Sequence, residues 1–339
     1  MCVIKNIKRQ NILFMYATLT IILLSAILVA LSVGRYNVKV SDIFKIIVEK
    51  IVNPSFNSKD SIVIIQMRIP RIFTSILVGA GLSVSGVTFQ GMFQNKLVSP
   101  DILGVSSGAG FGAALGILIT EEVGILTGIL AFSFGISGVL ITFIIAKFLT
   151  DKTPITLVLS GIIVSAGFNS LLSFIKLTSD KDSVLPAITY WLMGSFSPST
   201  LSKLKTVAVP ILFGIFIIFL YGRKLNILTL ENDEAYMLGI NPKNTRIILA
   251  SCCSLITACC VMTSGIIGWI GIIIPNICRM YIGSDNRRLI LFSVMTGSIF
   301  MLIVDTVSRT LTSMEIPVGI LISLIGAPLF VLIYGKGSN

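Results

Sequence analysis

The chain has 339 residues, 54% of them apolar, and only 41 charged side chains, 26 basic and 15 acidic. An ordinary soluble domain of this length carries about 85, a quarter of its residues. The apolar residues gather in long uncharged runs, which excludes a disordered chain, a disulfide scaffold and a soluble globule and leaves an all-α polytopic membrane protein. The net charge of +11 is spread between those runs rather than along one stripe, so it reads as membrane flanking and not as a nucleic-acid footprint.

A membrane-crossing helix needs about 20 apolar residues. The first span is 11–33, and its uncharged length exceeds the 7–15 residues of a signal-peptide core, so it reads as an uncleaved span. Lys5, Lys8 and Arg9 before it favour a cytoplasmic N-terminus. Loop 34–71 is unusually basic, with Arg35, Lys39, Lys45, Lys50, Lys59, Arg68 and Arg71. Within it, Ile43, Phe44, Ile47, Val48 and Ile51 recur at helical spacing in 41–52, a segment too short to span and expected to lie on the membrane surface. Spans follow at 68–91, 102–120, 123–146 and 153–175; Gly104, Gly108, Gly112 and Gly116 place a small-residue stripe on the third, suited to close helix packing. The stretch 183–202, with two prolines and many hydroxyls, reads as extramembrane or half-inserted.

The next span is 203–222, followed by a cytoplasmic segment, 223–245. The uncharged run 247–278 is too long for one span and breaks at Ser264-Gly265-Ile266-Ile267-Gly268, giving spans 246–264 and 266–282. Spans 288–309 and 316–335 complete ten in a single domain, 1–339. An even count puts both termini on one side, predicted cytoplasmic, with loop 34–67 outside and 223–246 inside.

Histidine is absent, which removes the usual general base and metal ligand. No GxxxxGK[ST], HExxH, GxSxG or CxxC…CxxC pattern occurs, and Gly335-Lys336-Gly337-Ser338 has no strand before it. Cys252, Cys253, Cys259 and Cys260 lie on an apolar helix and read as packing residues rather than metal ligands. No catalytic residue, metal or cofactor is expected. Asp305 is the one acid within the spans, and Arg309 one turn further along forms with it an expected intramembrane pair. A single self-paired acid does not suit an ion-coupled carrier, so the energy for transport is expected from another subunit.

Four separated stretches resemble the FecCD-type permeases of bacterial ABC importers for iron–siderophores, haem and cobalamin. They are Arg68-Ile69-Pro70-Arg71 with Leu77 to Gly86 and Gln90; Asn95, Leu97 and Pro100 with Leu103 to Ala109; Gly265 to Pro275 with Arg279, Gly283, Asp285 and Arg287; and Asp305, Arg309, Glu315 to Ile320 and Gly326-Ala327-Pro328. The resemblance covers about 10–335. Asn276 stands where the family usually has histidine, Lys96 where it has proline, and Leu230-Glu231-Asn232-Asp233-Glu234 departs from the usual Leu-Gly-acid.

The resemblance implies a type II ABC-importer permease fold of ten transmembrane helices. It implies a second permease subunit in a homo- or heterodimer, two cytoplasmic ABC ATPase subunits and an extracytoplasmic binding protein. The expected ligand is a ferric siderophore, with haem or cobalamin as alternatives within the family and a secondary transporter or channel outside it. Arg68, Arg71 and Arg309 match arginines that dock the binding protein, a role suited to a planar fork that grips carboxylates. Residues 226–240 are expected to form one short ATPase-coupling helix with Leu230, Ala235 and Leu238 on its apolar side, and Gly239 ending it in a left-handed conformation.

Overall fold

The structure is a computed structural model that describes residues 9–34, 36–53, 58–149 and 154–335. Lys5 and Lys8, which carry the N-terminal orientation, lie outside the described residues, as do Arg35 and the Lys336-Gly337-Ser338 tail. In chain order the helices are α1 (Arg9–Ser32), α2 (Val40–Val52), α3 (Lys59–Ser61), α4 (Ile69–Phe93), α5 (Val105–Thr120), α6 (Ile125–Phe148), α7 (Pro154–Thr178), α8 (Val184–Leu192), α9 (Leu201–Leu220), α10 (Gly222–Ile227), α11 (Asn232–Met237), α12 (Pro242–Ser264), α13 (Ile270–Ile282), α14 (Asn286–Ser308) and α15 (Val318–Gly335). Among the described residues no strand occurs. Seven helical stretches are long and apolar enough to cross a membrane, and three shorter apolar helices, Val105–Thr120, Ile270–Ile282 and Val318–Leu332, accompany them.

Several boundaries differ from the sequence reading. The second span begins near Lys59, because a π-helical stretch, Ile62–Arg68, joins α3 to α4. Pro70 then sits in the first turn of α4, where its missing N–H costs nothing. The third is shortened by a 3-10 turn at Pro100–Leu103 and by Gly104, whose φ of +79° makes it the left-handed entry to α5, while its carbonyl still lies against Gly138 of α6 in line with the rest of the stripe. The long run does break after Ser264, but α13 resumes only at Ile270, after positive φ at Gly265 and Trp269. Segment 226–240 is not one helix: α10 and α11 are separate single turns and a half. The stretch 183–202 contains a real helix, α8, followed by a return at Gly194 (φ +75°).

Helix α4 is the axis of the bundle, buried almost continuously from Val78 to Met92. Between apolar helices in a membrane there is no water to expel, so close backbone approach and dispersion hold the contact. Gly79 of α4 lies against Gly297 of α14, and Gly86 against Gly271 of α13, so that a Cβ at any of them would strike the opposing main chain or, at Gly271, the Pro100 ring. Gly108 and Gly112 of α5 likewise lie on the Phe134 and Leu130 carbonyls of α6. Helix α2 is amphipathic as the pattern predicts. Ile43 and Ile46 pack with Ala30, Leu31, Ile64 and Ile72, while Phe44, Val48 and Val52 form an exposed stripe.

Candidate functional site

At one end of the bundle the C-terminus of α1, the start of α4, the end of α14 and the approach to α15 converge on five charged residues. Arg71 is their hub. Its Nε donates to both oxygens of Asp305 at 2.9 and 3.1 Å, Nη2 lies 2.9 Å from the same carboxylate, and Nη1 donates to Glu315 Oε1 and Oε2 at 3.0 and 2.9 Å. Asp305 is fully buried. A buried carboxylate is tolerated only when paired and hydrogen-bonded, which the forked guanidinium achieves.

The expected Asp305–Arg309 pair is therefore corrected: the Asp305 ion pair is with Arg71. A helical i,i+4 spacing brings Arg309 near, yet its Nη2 donates instead to the Ala30 carbonyl at the end of α1. Arg68 donates to the Leu31, Ser32 and Tyr36 carbonyls. Two arginines thus cap the carbonyl end of α1, where unpaired C=O groups and the helix dipole favour cations. All three arginines expected to face a docking partner are buried, at 5%, 9% and 7% exposure for Arg68, Arg71 and Arg309. Glu315 was not singled out from the sequence as a charged partner; its only signal was its place beside Ile316-Pro317.

The same end carries a backbone junction and a cleft. Ser195 N–H donates to the Ser264 carbonyl (2.8 Å), Val318 N–H to Gly194 (2.9 Å) and Gly319 N–H to Met193 (3.1 Å), joining α8, α12 and α15. Two adjoining hollows of about 250 and 280 Å³ share Val123, Trp191, Pro198 and Thr263. One adds Tyr190, Ser195 and Ser197, the other Lys203 and Thr206. The Lys203 ammonium donates to the Pro198 carbonyl at 3.2 Å. The wall of these hollows thus combines the Tyr190 and Trp191 rings, several hydroxyls and one cation.

At the opposite end, α10 and α11 occupy the expected coupling segment. Helix α11 closes in a Schellman motif, with Ile240 N–H donating to the Ala235 carbonyl (3.0 Å), Gly239 N–H to Tyr236 (2.9 Å) and Gly239 at φ +76°. Asn241 then caps α12 by accepting from Asn244 N–H (3.1 Å), with Pro242 at the first helical position. Leu230 and Leu238 are exposed, as are Tyr236 and Met237, the last at 88%. Ala235 departs from its expected place on a partner-facing side. It is 1% exposed because a six-residue helix resting on the start of α12 must bury its one small face inward.

A bundle of apolar helices with a cleft at one end and a capped apolar knob at the other has the build of a multi-pass membrane protein, and the proteins it is similar to are transport permeases of ABC type. The chain belongs to the FecCD transport family, whose model matches residues 21–336. It is 39% identical over 318 residues to the molybdate import system permease of Haemophilus influenzae, covering 93% of this chain and 94% of that one. It is 38% identical over 274 residues to a probable iron chelatin transport permease of Helicobacter pylori, covering 80% and 81%. A solved transporter described as of metal-chelate ABC type, in an inward-facing conformation, superposes with a TM-score of 0.86 at 36% identity, covering 95% of this chain and 99% of that one. Further relatives are named for cobalamin and haemin transport.

Proposed function

We propose that the chain is the permease subunit of an ATP-driven importer in the bacterial cell membrane. It pairs with a second permease copy or paralogue, rests on two cytoplasmic ATPase subunits and receives its ligand from an extracytoplasmic binding protein. The observation that carries this reading is the α10–α11 element. A short helix closed by a Schellman turn and presenting Tyr236, Met237 and Leu238 to solvent is an exposed apolar knob, the shape of a contact for another subunit. In this reading that end is cytoplasmic, both termini lie with it, and the arginine end faces outward.

The docking role of Arg68, Arg71 and Arg309 takes a modified form. Their charges exceed those of Asp305 and Glu315 by one, and the guanidinium groups fix the α1–α4–α14 rim on which a binding protein with acidic residues would settle. Such a field sets encounter rate and orientation, so docking weakens with salt.

The cargo we propose is an anionic metal complex, a ferric siderophore first. Aromatic and hydroxyl groups with Lys203 in the cleft suit a bulky chelate. The molybdate relative favours a second cargo, the oxyanion itself. Proteoliposomes holding the complete transporter and its binding protein, offered ⁵⁵Fe-enterobactin, a trianionic chelate, or ⁹⁹Mo-molybdate with ATP inside, discriminate the two. Uptake of the iron chelate alone supports the first, uptake of molybdate alone replaces it with the second, and ATP-independent uptake of either refutes the importer reading. Met237→Asp should abolish co-purification of the ATPase; full retention would remove α11 from the contact.

A further inference from the structure

We infer that Asn226 is a positioning residue that fastens the coupling element to α14, so that a push on α11 moves α14 and α4 as one body instead of being absorbed in the linker. The inference rests on the coupling role proposed above for α10–α11.

Helix α10 has six residues and cannot hold its own shape or position by main-chain bonds alone. Its neighbours hold it. The Asn226 side-chain amide grips the start of α14 at two points: Nδ2 donates to Asp285 Oδ1 at 2.9 Å, and Oδ1 accepts from the Asn286 main-chain N–H at 2.8 Å. Asp285 itself accepts from Arg287 N–H at 3.1 Å. Two of the N–H groups that every helix leaves unpaired at its start are therefore satisfied, one by its own cap and one by α10. The side chain of Gln94, just past the end of α4, donates to the Leu228 carbonyl at 3.2 Å. Leu225 is fully buried against Gly91, and Gly222 lies so close to Arg287 that a Cβ there would come within 3.1 Å of its Cα.

From this grip α14 runs 23 residues, about 34 Å at 1.5 Å per residue. It is fixed to α4 midway by the Gly79–Gly297 contact and at the far end by Arg71–Asp305. Locked at both levels, α4 and α14 form a strut from the α10 end to the arginine end. Asn226 joins the α14 side of this strut to the segment bearing the exposed knob, as Gln94 joins its α4 side. Opposite an acidic Asp285 an amide suits this place, because it donates to a carboxylate and accepts from a main-chain N–H at once. Aspartate at 226 keeps the acceptor but opposes the Asp285 charge and loses the donor.

The test reads a response at the distant end. Met314, 81% exposed beside the arginine cluster, is changed to Cys in the full complex with ATPase and binding protein, and its maleimide labelling rate is compared with and without ATP–vanadate, after subtraction of labelling in the same complex without this cysteine. The nucleotide-dependent change seen with Asn226 is expected to fall at least fivefold in Asn226→Ala and Asn226→Asp, compared in complexes matched for ATPase content. The exchange Asn226→Asp/Asp285→Asn reverses the donor and acceptor and should restore the change; Asp285→Asn alone, which leaves an acceptor for the amide, should stay near wild type. An unaltered response in both single variants overturns the inference, as does an exchanged pair that assembles without regaining the response. Should the single variants fail to assemble, restoration of assembly and response by the exchanged pair supports it, and failure of that pair overturns it. Met237→Asp separates the underlying reading: unimpaired co-purification there refutes the coupling role of α11, whatever Asn226 does.

Discussion

Removing Arg71 is the perturbation whose cost the structure defines best. The guanidinium serves two carboxylates through contacts of 2.9 to 3.1 Å, and the two differ in what they can do without it. Glu315, with a side chain 23% exposed, can turn to solvent, whereas Asp305, at 1%, cannot. Arg309 is the nearest remaining cation, but its guanidinium is directed to the Ala30 carbonyl. Arg71→Ala therefore leaves a buried carboxylate unpaired, at a cost of about 3–5 kcal/mol. Asp305→Ala should cost less, since Glu315 still holds Arg71, and Glu315→Ala least, about 1 kcal/mol, because a partly exposed pair is screened. In Arg71→Ala/Asp305→Ala no buried carboxylate is left unpaired, and Glu315 can turn to solvent, so the double variant should be more stable than the sum of the single losses by about 2 kcal/mol. Unfolding in mixed dodecyl maltoside–SDS micelles, followed by Trp191 and Trp269 fluorescence, measures all four. Strict additivity of the two single losses, or a Glu315→Ala loss equal to that of Arg71→Ala, would refute the assignment of Arg71 as the counter-ion of a buried Asp305.

Gly297→Ala should sharply lower folded yield, since its Cβ would collide with the Ser83 side chain and the Gly79 main chain; Ser83→Gly in the same chain should recover little, because the Gly79 carbonyl remains in the way. Gly239→Val should destabilise the α11 turn by about 1–2 kcal/mol, the cost of a left-handed residue with a Cβ, and Gly239→Asn by less; hydrogen exchange at Ile240 N–H reads the difference. Ala235→Glu should unfold α11 locally by burying an unpaired charge, raising exchange at Ile240 as well as lowering ATPase co-purification. Single cysteines at Lys45 and Met237 should label with an impermeant thiol reagent in intact cells at the first position only; labelling at 237 would invert the proposed orientation.

The sequence by itself determined the class and the membrane plan. Long uncharged runs leave the backbone no solvent to bond with, so each must become a helix, and the placement of Gly265, Gly239 and Asn241-Pro242 marks chain reversals because few other residues adopt those conformations. The four FecCD-like stretches carry the family in the sequence itself. Tertiary structure alone decided which charge meets which. Arg71 and Asp305 are 234 positions apart, and nothing in their local spacing outweighed the attractive i,i+4 partner Arg309; only the packing of α4 on α14, through Gly79 and Gly297, brings them together. It also decided that Ala235 faces its own chain and that Asn226 reaches Asp285, because a short helix has two faces and sequence spacing does not say which one a neighbouring helix will cover.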